Sequence, residues 1–205
     1  MQIDAHWQRS EAKTFWSEIP PSNHLVQIYE TDTIFMDSLE GYVLAGIQKG
    51  ECVLVIATAS HLNTLGNRLR RQSYNTDVLI AGKQYIPINA EEALQQFMKD
   101  EWPDDELFLK FATNLLSNGR LHDRPVRAFG EMVALLWAQG HNRATIHLEQ
   151  LWTNLCKKEG FPIFCAYPRA GFSLDAKASI MHICEAHSKI IDGWTRPRHE
   201  VFFKD

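Results

Sequence analysis

Apolar residues recur along this chain in two alternating rhythms. Short unbroken apolar runs suit strands, and stripes spaced three and four residues apart suit helices. His24-Leu-Val-Gln-Ile-Tyr29 is a run of the first kind. Phe35, Leu39, Tyr42, Val43, Gly46 and Ile47 form a stripe capped by Thr31 or Asp32 and closed by Gly50. Cys52-Val-Leu-Val-Ile-Ala57 is the clearest strand, apolar throughout, as a central parallel strand covered on both faces must be. Ser60 is placed to cap a helix with Leu62, Leu65 and Leu69 inward. Tyr85–Asn89 reads as a strand whose Pro87 cannot donate to a ladder, which places it at an edge. Asn89 and Glu92 have capping-box spacing, and Asp104 or Asp105 opens a helix carrying Leu107, Phe108, Phe111 and Leu115.

The second half repeats the rhythm. Pro125–Phe129 is a short strand that Gly130 turns into an apolar helix ending near Gly140. Asn142 caps a helix bearing Ala144, Leu148, Leu151, Trp152 and Leu155, and Pro162–Tyr167 is the last strong strand. Ser173 caps a helix with Ala176, Ile180, Ile183, Cys184 and His187 on one stripe. Strands alternating with helices predict an α/β fold, a mostly parallel sheet with helices on both faces. Residues 1–21 read as an arm or first helix ended by Pro20-Pro21, 22–191 as one domain, and 192–205 as a polar tail, loosely held or docked at an edge.

Composition narrows the function. The chain has 205 residues, 45% of them hydrophobic and 11% aromatic, enough to fill one core. A net charge of -4 leaves no electrostatic footprint for nucleic acid. No apolar stretch reaches the ~20 residues that span a bilayer, and residues 1–21 lack the apolar centre of a signal peptide. The four cysteines form no C-x-x-C pair, and three lie in apolar runs, which fits reduced buried thiols in a cytoplasmic protein.

Val126-Arg-Ala-Phe-Gly-Glu-Met-Val-Ala-Leu-Leu-Trp-Ala-Gln-Gly140, Leu148-Glu-Gln-Leu-Trp152 and Phe164-Cys-Ala-Tyr-Pro168 carry a family likeness. With His24–Tyr29 and Cys184-Glu-Ala-His-Ser188, they resemble the MEDS domain of methanogen and methylotroph sensory proteins, over roughly residues 22–191. The resemblance implies a RecA-like three-layer fold with no working nucleotide site. It also implies a module that senses a small molecule, with hydrocarbon derivatives proposed for some members, and that acts with a histidine kinase or transcription regulator. A homo-oligomer is a further expectation from RecA-like relatives.

The residues agree on the missing ATPase. A P-loop needs glycine amides near the phosphates and a lysine that reaches them. The strand Cys52–Ala57 is followed by Thr58-Ala-Ser-His-Leu62, with neither glycine nor lysine. Gly82-Lys83 is followed by Gln84, and Asp77 stands where the first glycine belongs. No cofactor is expected.

Ligand candidates sit at strand ends, where open α/β sheets bind. They are Thr58, Ser60 and His61 after one strand, Gly130 and Glu131 after another, Tyr167 with Pro168, and Glu30. The helix start at Thr58–Ser60 is either an anion site or an ordinary cap. Glu131 either meets a ligand, pairs with Arg127, or complements a helix dipole. His24 and His187 join the ligand candidates, although a histidine on an apolar face also serves as a hydrogen-bonded core residue. Spacing gives no support for a metal site built from His24, Cys165, Cys184 and His187. Trp137, Trp152, Phe129 and Phe164 read as core. Two alternatives to a sensor remain: a self-associating scaffold without a ligand, and an enzyme with an unconventional nucleotide site.

Overall fold

The structure, a computed structural model, describes residues 8–11, 15–172, 177–193 and 200–203. Ser173 and Ala176, expected to open the last helix, lie outside the described residues.

Among the described residues one sheet carries the fold. Its strands are β1 (Gln8–Glu11), β2 (His24–Tyr29), β3 (Cys52–Ala57), β4 (Tyr85–Asn89), β7 (Val126–Gly130), β8 (Ile163–Pro168), β9 (Lys189–Gly193) and β10 (Glu200–Phe203), in the order β1-β10-β9-β2-β8-β7-β3-β4. The run from β9 to β4 is parallel, and β10 and β1 add antiparallel at one end. The two-residue strands β5 (Met98–Lys99) and β6 (Trp102–Pro103) make a separate small ladder. The helices are α1 (Asp32–Gln48), α2 (Ala59–Arg71), α3 (Thr76–Ala81), α4 (Ala90–Gln95), α5 (Asp105–Gly119), α6 (Met132–Ala138), α7 (Asn142–Glu159) and α8 (Lys177–Ala186).

The period-two geometry of the strands splits the core in two. Cys52, Leu54 and Ile56 of β3 pack with α4 to α8, while Val53, Val55 and Ala57 pack with α1 and α2. Every β3 residue is buried, which is why its sequence shows no polar alternation. Trp137, Trp152, Phe129 and Phe164 are all core, as their positions predict. β4 closes one end of the sheet, the place its Pro87 requires.

Several local expectations change. The arm gives a strand and a single helical turn at Phe15–Ser17, and β10 of the tail pairs with it. Thr58, not Ser60, caps α2, its hydroxyl accepting from the His61 amide at 3.4 Å. Ser60 already lies inside the first turn. His141 occupies the cap position of α7, without a side-chain bond, and Asn142 is the first helical residue.

Buried polar side chains fasten the layers. Tyr42 on α1 donates to the carbonyls of Ala128 (3.0 Å) and Pro162 (3.1 Å), tying the helix to β7 and to the entry of β8. Tyr42→Phe removes the hydroxyl donor while the Pro162 carbonyl keeps the Ala128 amide at 3.0 Å, so stability should fall by about 1 kcal/mol. A matched urea titration of both proteins measures it; an unchanged midpoint would show that these carbonyls are satisfied elsewhere.

Candidate functional site

Two polar constellations stand out against this apolar frame, one on each side of the sheet. The first lies where β3 and β7 end. Thr58 follows β3 and Glu131 follows β7, and these two strands are hydrogen-bonded neighbours. Glu131 is nearly buried and accepts from the Thr58 amide at 2.9 Å. His61, on the first turn of α2, brings Nδ1 to 2.8 Å and 2.9 Å from the two Glu131 oxygens. A carboxylate only accepts, so Nδ1 carries the proton and donates. Phe35 lies edge-on to His61 at 4.9 Å, with Tyr29 stacked behind it at 4.8 Å and Phe129 beside it at 5.6 Å.

The electrostatics follow from the pairing. The hydrogen bond to Glu131 raises the His61 pKa; burial opposes it, and the Glu131 and Asp32 charges add to the rise. Burial, helped by Glu131 and Asp32, raises the Tyr29 phenol. A raised folded-state pKa stabilises fully below the unfolded value of ~6.5, and that gain disappears as pH climbs through the folded value. His61→Gln keeps a neutral donor but cannot charge. The wild type should therefore exceed the variant by about 1–2 kcal/mol at pH 5.5, with the gap closing toward pH 9. Thermal melts across that range test the sign, and a gap that widens with pH would refute it.

The second constellation is wholly buried. His24 of β2, Cys165 of β8, Glu149 of α7 and His187, just beyond α8, bring one donor atom each within 4.8 Å of one another. His24 Nε2 lies 3.2 Å from Glu149 Oε2 and 3.3 Å from Cys165 Sγ. His187 Nε2 is 3.4 Å and Cys165 Sγ 3.7 Å from the same oxygen. The Tyr167 hydroxyl donates to the other oxygen, Glu149 Oε1. Burial and the neighbouring His187 push His24 down to about 4. Burial also works against the Glu149 charge, but His187 and His24 outweigh it and hold the carboxyl below its usual range. Burial and then Glu149 raise the Cys165 thiol. Imidazole, thiol and carboxylate are together a donor set for a transition metal.

The expected ligand residues thus divide. Thr58, His61, Gly130 and Glu131 converge at the β3–β7 ends, with Ser60 exposed on the adjoining turn. Tyr167 does not join them; it is fully buried and turned toward Glu149. His24 and His187 meet each other, ring centroids 4.0 Å apart, far along the chain from the residues they were grouped with. Glu30 pairs instead with Arg169 at 3.2 Å. Glu131 does not pair with Arg127, whose guanidinium bonds Glu51 and the Trp16 and Tyr42 carbonyls. Spacing dismissed a cluster of histidines and cysteines, and the fold builds one without Cys184. Glu149 was the member left out, although Thr145, Glu149, Trp152 and Cys156 share one buried stripe of α7. The thiols of Cys52 and Cys156 are pushed up by burial, to about 11 and about 12, and read as inert.

The family model for MEDS, the methanogen/methylotroph, DcmR sensory domain, matches residues 23–188. The chain belongs to the MEDS family. The matched span runs from the start of β2 to Ser188, so both constellations of this MEDS domain fall inside it. No curated protein matches the chain. Among solved structures, the Pyrococcus horikoshii OT3 protein PH0250 is similar, with a TM-score of 0.57 and 11% identity over 89% of this chain and 87% of that one. The flagellar accessory protein FlaH from Methanocaldococcus jannaschii is similar with a TM-score of 0.53 and 10% identity, over 85% of this chain and 72% of that one. These likenesses establish the fold as RecA-like α/β. Among the described residues no helix is long and apolar enough to cross a membrane.

Proposed function

We propose that this MEDS domain is a sensory module that binds a small neutral or cationic molecule at the carboxyl ends of β3 and β7. It passes the signal to a partner protein, a histidine kinase or transcription regulator, and does not hydrolyse nucleotide. The supporting observation is the place of Glu131. Its carboxylate takes the Thr58 amide at the mouth of α2, where a phosphate would need free amides and a positive field. A second anion there would face the Glu131 carboxylate, with no lysine in the Thr58–Leu62 turn to offset it. An amine or hydroxyl, by contrast, finds an acceptor in Glu131, a titratable partner in His61, and an aromatic wall in Phe35 and Tyr29. Binding signals only if it favours one of two conformations, and a displaced Glu131–His61 pair would loosen the start of α2.

Thermal-shift titration with hydrocarbon derivatives, small amines and alcohols, and nucleotides tests this reading. The expected result is stabilisation by at least one uncharged or cationic compound, reduced in Glu131→Gln, and none by ATP. ATP turnover lost in Glu131→Ala would overturn it in favour of an enzyme. Absence of stabilisation by any compound would favour the scaffold.

A further inference from the structure

The geometry points to a transition-metal site, best suited to Zn²⁺, formed by His24 Nε2, Glu149 Oε2, Cys165 Sγ and His187 Nε2 on the sheet face opposite α1 and α2. Nothing in the sensory reading requires it, and it stands on separate residues.

The spacing of the donors carries the first argument. Zinc bonds of about 2.0–2.3 Å in a tetrahedron put neighbouring donors about 3.3–3.8 Å apart. Four of the six separations are 3.2, 3.3, 3.4 and 3.7 Å, and all six lie within 4.8 Å, so the set needs only a small inward shift to close on an ion. Each donor comes from a different element: β2, α7, β8 and the connection from α8 to β9. All four residues are buried.

Proton placement carries the second. His187 Nδ1 lies 2.6 Å from the Ile183 carbonyl, which accepts only, so that nitrogen holds the proton. His24 Nδ1 lies 2.7 Å from the Thr153 hydroxyl, whose hydrogen goes to the Glu149 carbonyl at 2.8 Å, so His24 Nδ1 also donates. With each Nδ1 donating outward, each Nε2 is turned inward toward the Glu149 carboxylate, the orientation a metal-ligating histidine takes. His187 Nε2 is buried and makes no hydrogen bond. A buried carboxylate needs positive charge beside it, and a cation at the centre of these donors supplies it.

The surrounding bonds are those that orient metal ligands. A ligating histidine donates its other ring nitrogen to a carbonyl or hydroxyl, as His24 and His187 do. Tyr167 holds Glu149 Oε1 and leaves Oε2 for the centre. On binding, the Cys165 thiol releases its proton to solvent; one thiolate and one carboxylate then neutralise a divalent ion. Thiolate with imidazole selects zinc over magnesium or calcium, and four protein donors with no open position describe a structural site rather than a catalytic one. The ion would clamp the α8–β9 connection and α7 to the sheet, so its occupancy sets how firmly that end of the domain is held.

Metal analysis of the full chain purified without chelator, and Co²⁺ titration of the chain after metal removal, test the site. We expect one zinc per chain, and with cobalt the ligand-field bands of a four-coordinate ion together with a thiolate-to-cobalt charge-transfer band. Cys165→Ser should lose the charge-transfer band, and Thr153→Val, which frees His24 Nδ1, should weaken Co²⁺ binding about 10–100-fold. Cys184→Ser should change neither. A folded wild type without zinc and without the charge-transfer band overturns the proposal, as does a band that survives Cys165→Ser. The wild-type spectrum alone decides if the cysteine variant does not fold.

Discussion

Arg127→Met should cost about 3–5 kcal/mol of folding stability, in a domain whose total is about 5–15 kcal/mol. The Arg127 side chain is 1% exposed, yet it carries a full charge. Its Nε donates to Glu51, and Nη1 donates to the Trp16 carbonyl at 3.1 Å and the Tyr42 carbonyl at 3.0 Å. Its guanidinium carbon sits 4.9 Å from the Tyr42 ring centre. Methionine fills much of the volume but leaves two carbonyls and a half-buried carboxylate without their donor. Glu51→Gln keeps an acceptor and shape, and should cost less. Urea unfolding of both variants ranks them. A methionine variant as stable as the wild type would mean that the charge contributes nothing beyond its packing. Gly46 belongs to the same arrangement: a Cβ there would stand 2.7 Å from the Arg127 side chain and 2.7 Å from Val53, so α1 lies against β3 only because this position is bare.

The sheet was legible because burial leaves a direct mark on composition. Cys52–Ala57 is apolar at each position because both faces are covered, and Pro87 announced an edge because it cannot donate. Caps were legible to within a residue or two. Thr58 and Ser60 both have the right chemistry, and the strand's end at Ala57 decides between them. α3 escaped notice because it is six residues long and leaves Val78 and Ile80 exposed, so it shows no amphipathic stripe. β9 escaped because it is held by its neighbour β2 rather than by its own pattern.

The site was harder to read for a different reason. Thr58 and His61 are near neighbours in sequence, and a strand end followed by a helix start is a local signal. His24 and His187 stand 163 positions apart, and only the parallel pairing of β9 and β8 on either side of β2 brings them together. Grouping residues by type chose Cys184 and missed Glu149, because a glutamate on a long helix resembles surface. Its helical phase carried the contrary information. Glu149 falls four residues after Thr145 and three before Trp152, both buried, so the stripe already asked for a partner within the core.

Phe35→Ala should be as damaging as the loss of Arg127, at about 3–5 kcal/mol, and should also reach the β3–β7 site. Phe35 is 0% exposed and separates Tyr29 and Phe129 from the imidazole of His61. Removing the ring opens a cavity against Glu131 and His61. If water enters, it raises the local dielectric and weakens the ion pair. The pH-dependent stability contributed by His61 should then shrink together with the total. Phe35→Leu keeps most of the volume, so it should cost less and preserve more of that pH dependence. A double-mutant cycle between Phe35→Ala and His61→Gln, read from urea midpoints at pH 5.5 and pH 9, separates the two effects. The coupling should be about 0.5–1.5 kcal/mol at the lower pH and smaller at the higher. A coupling that ignores pH would show that Phe35 supports His61 only as packing, and that the aromatic wall does not shield the charged pair.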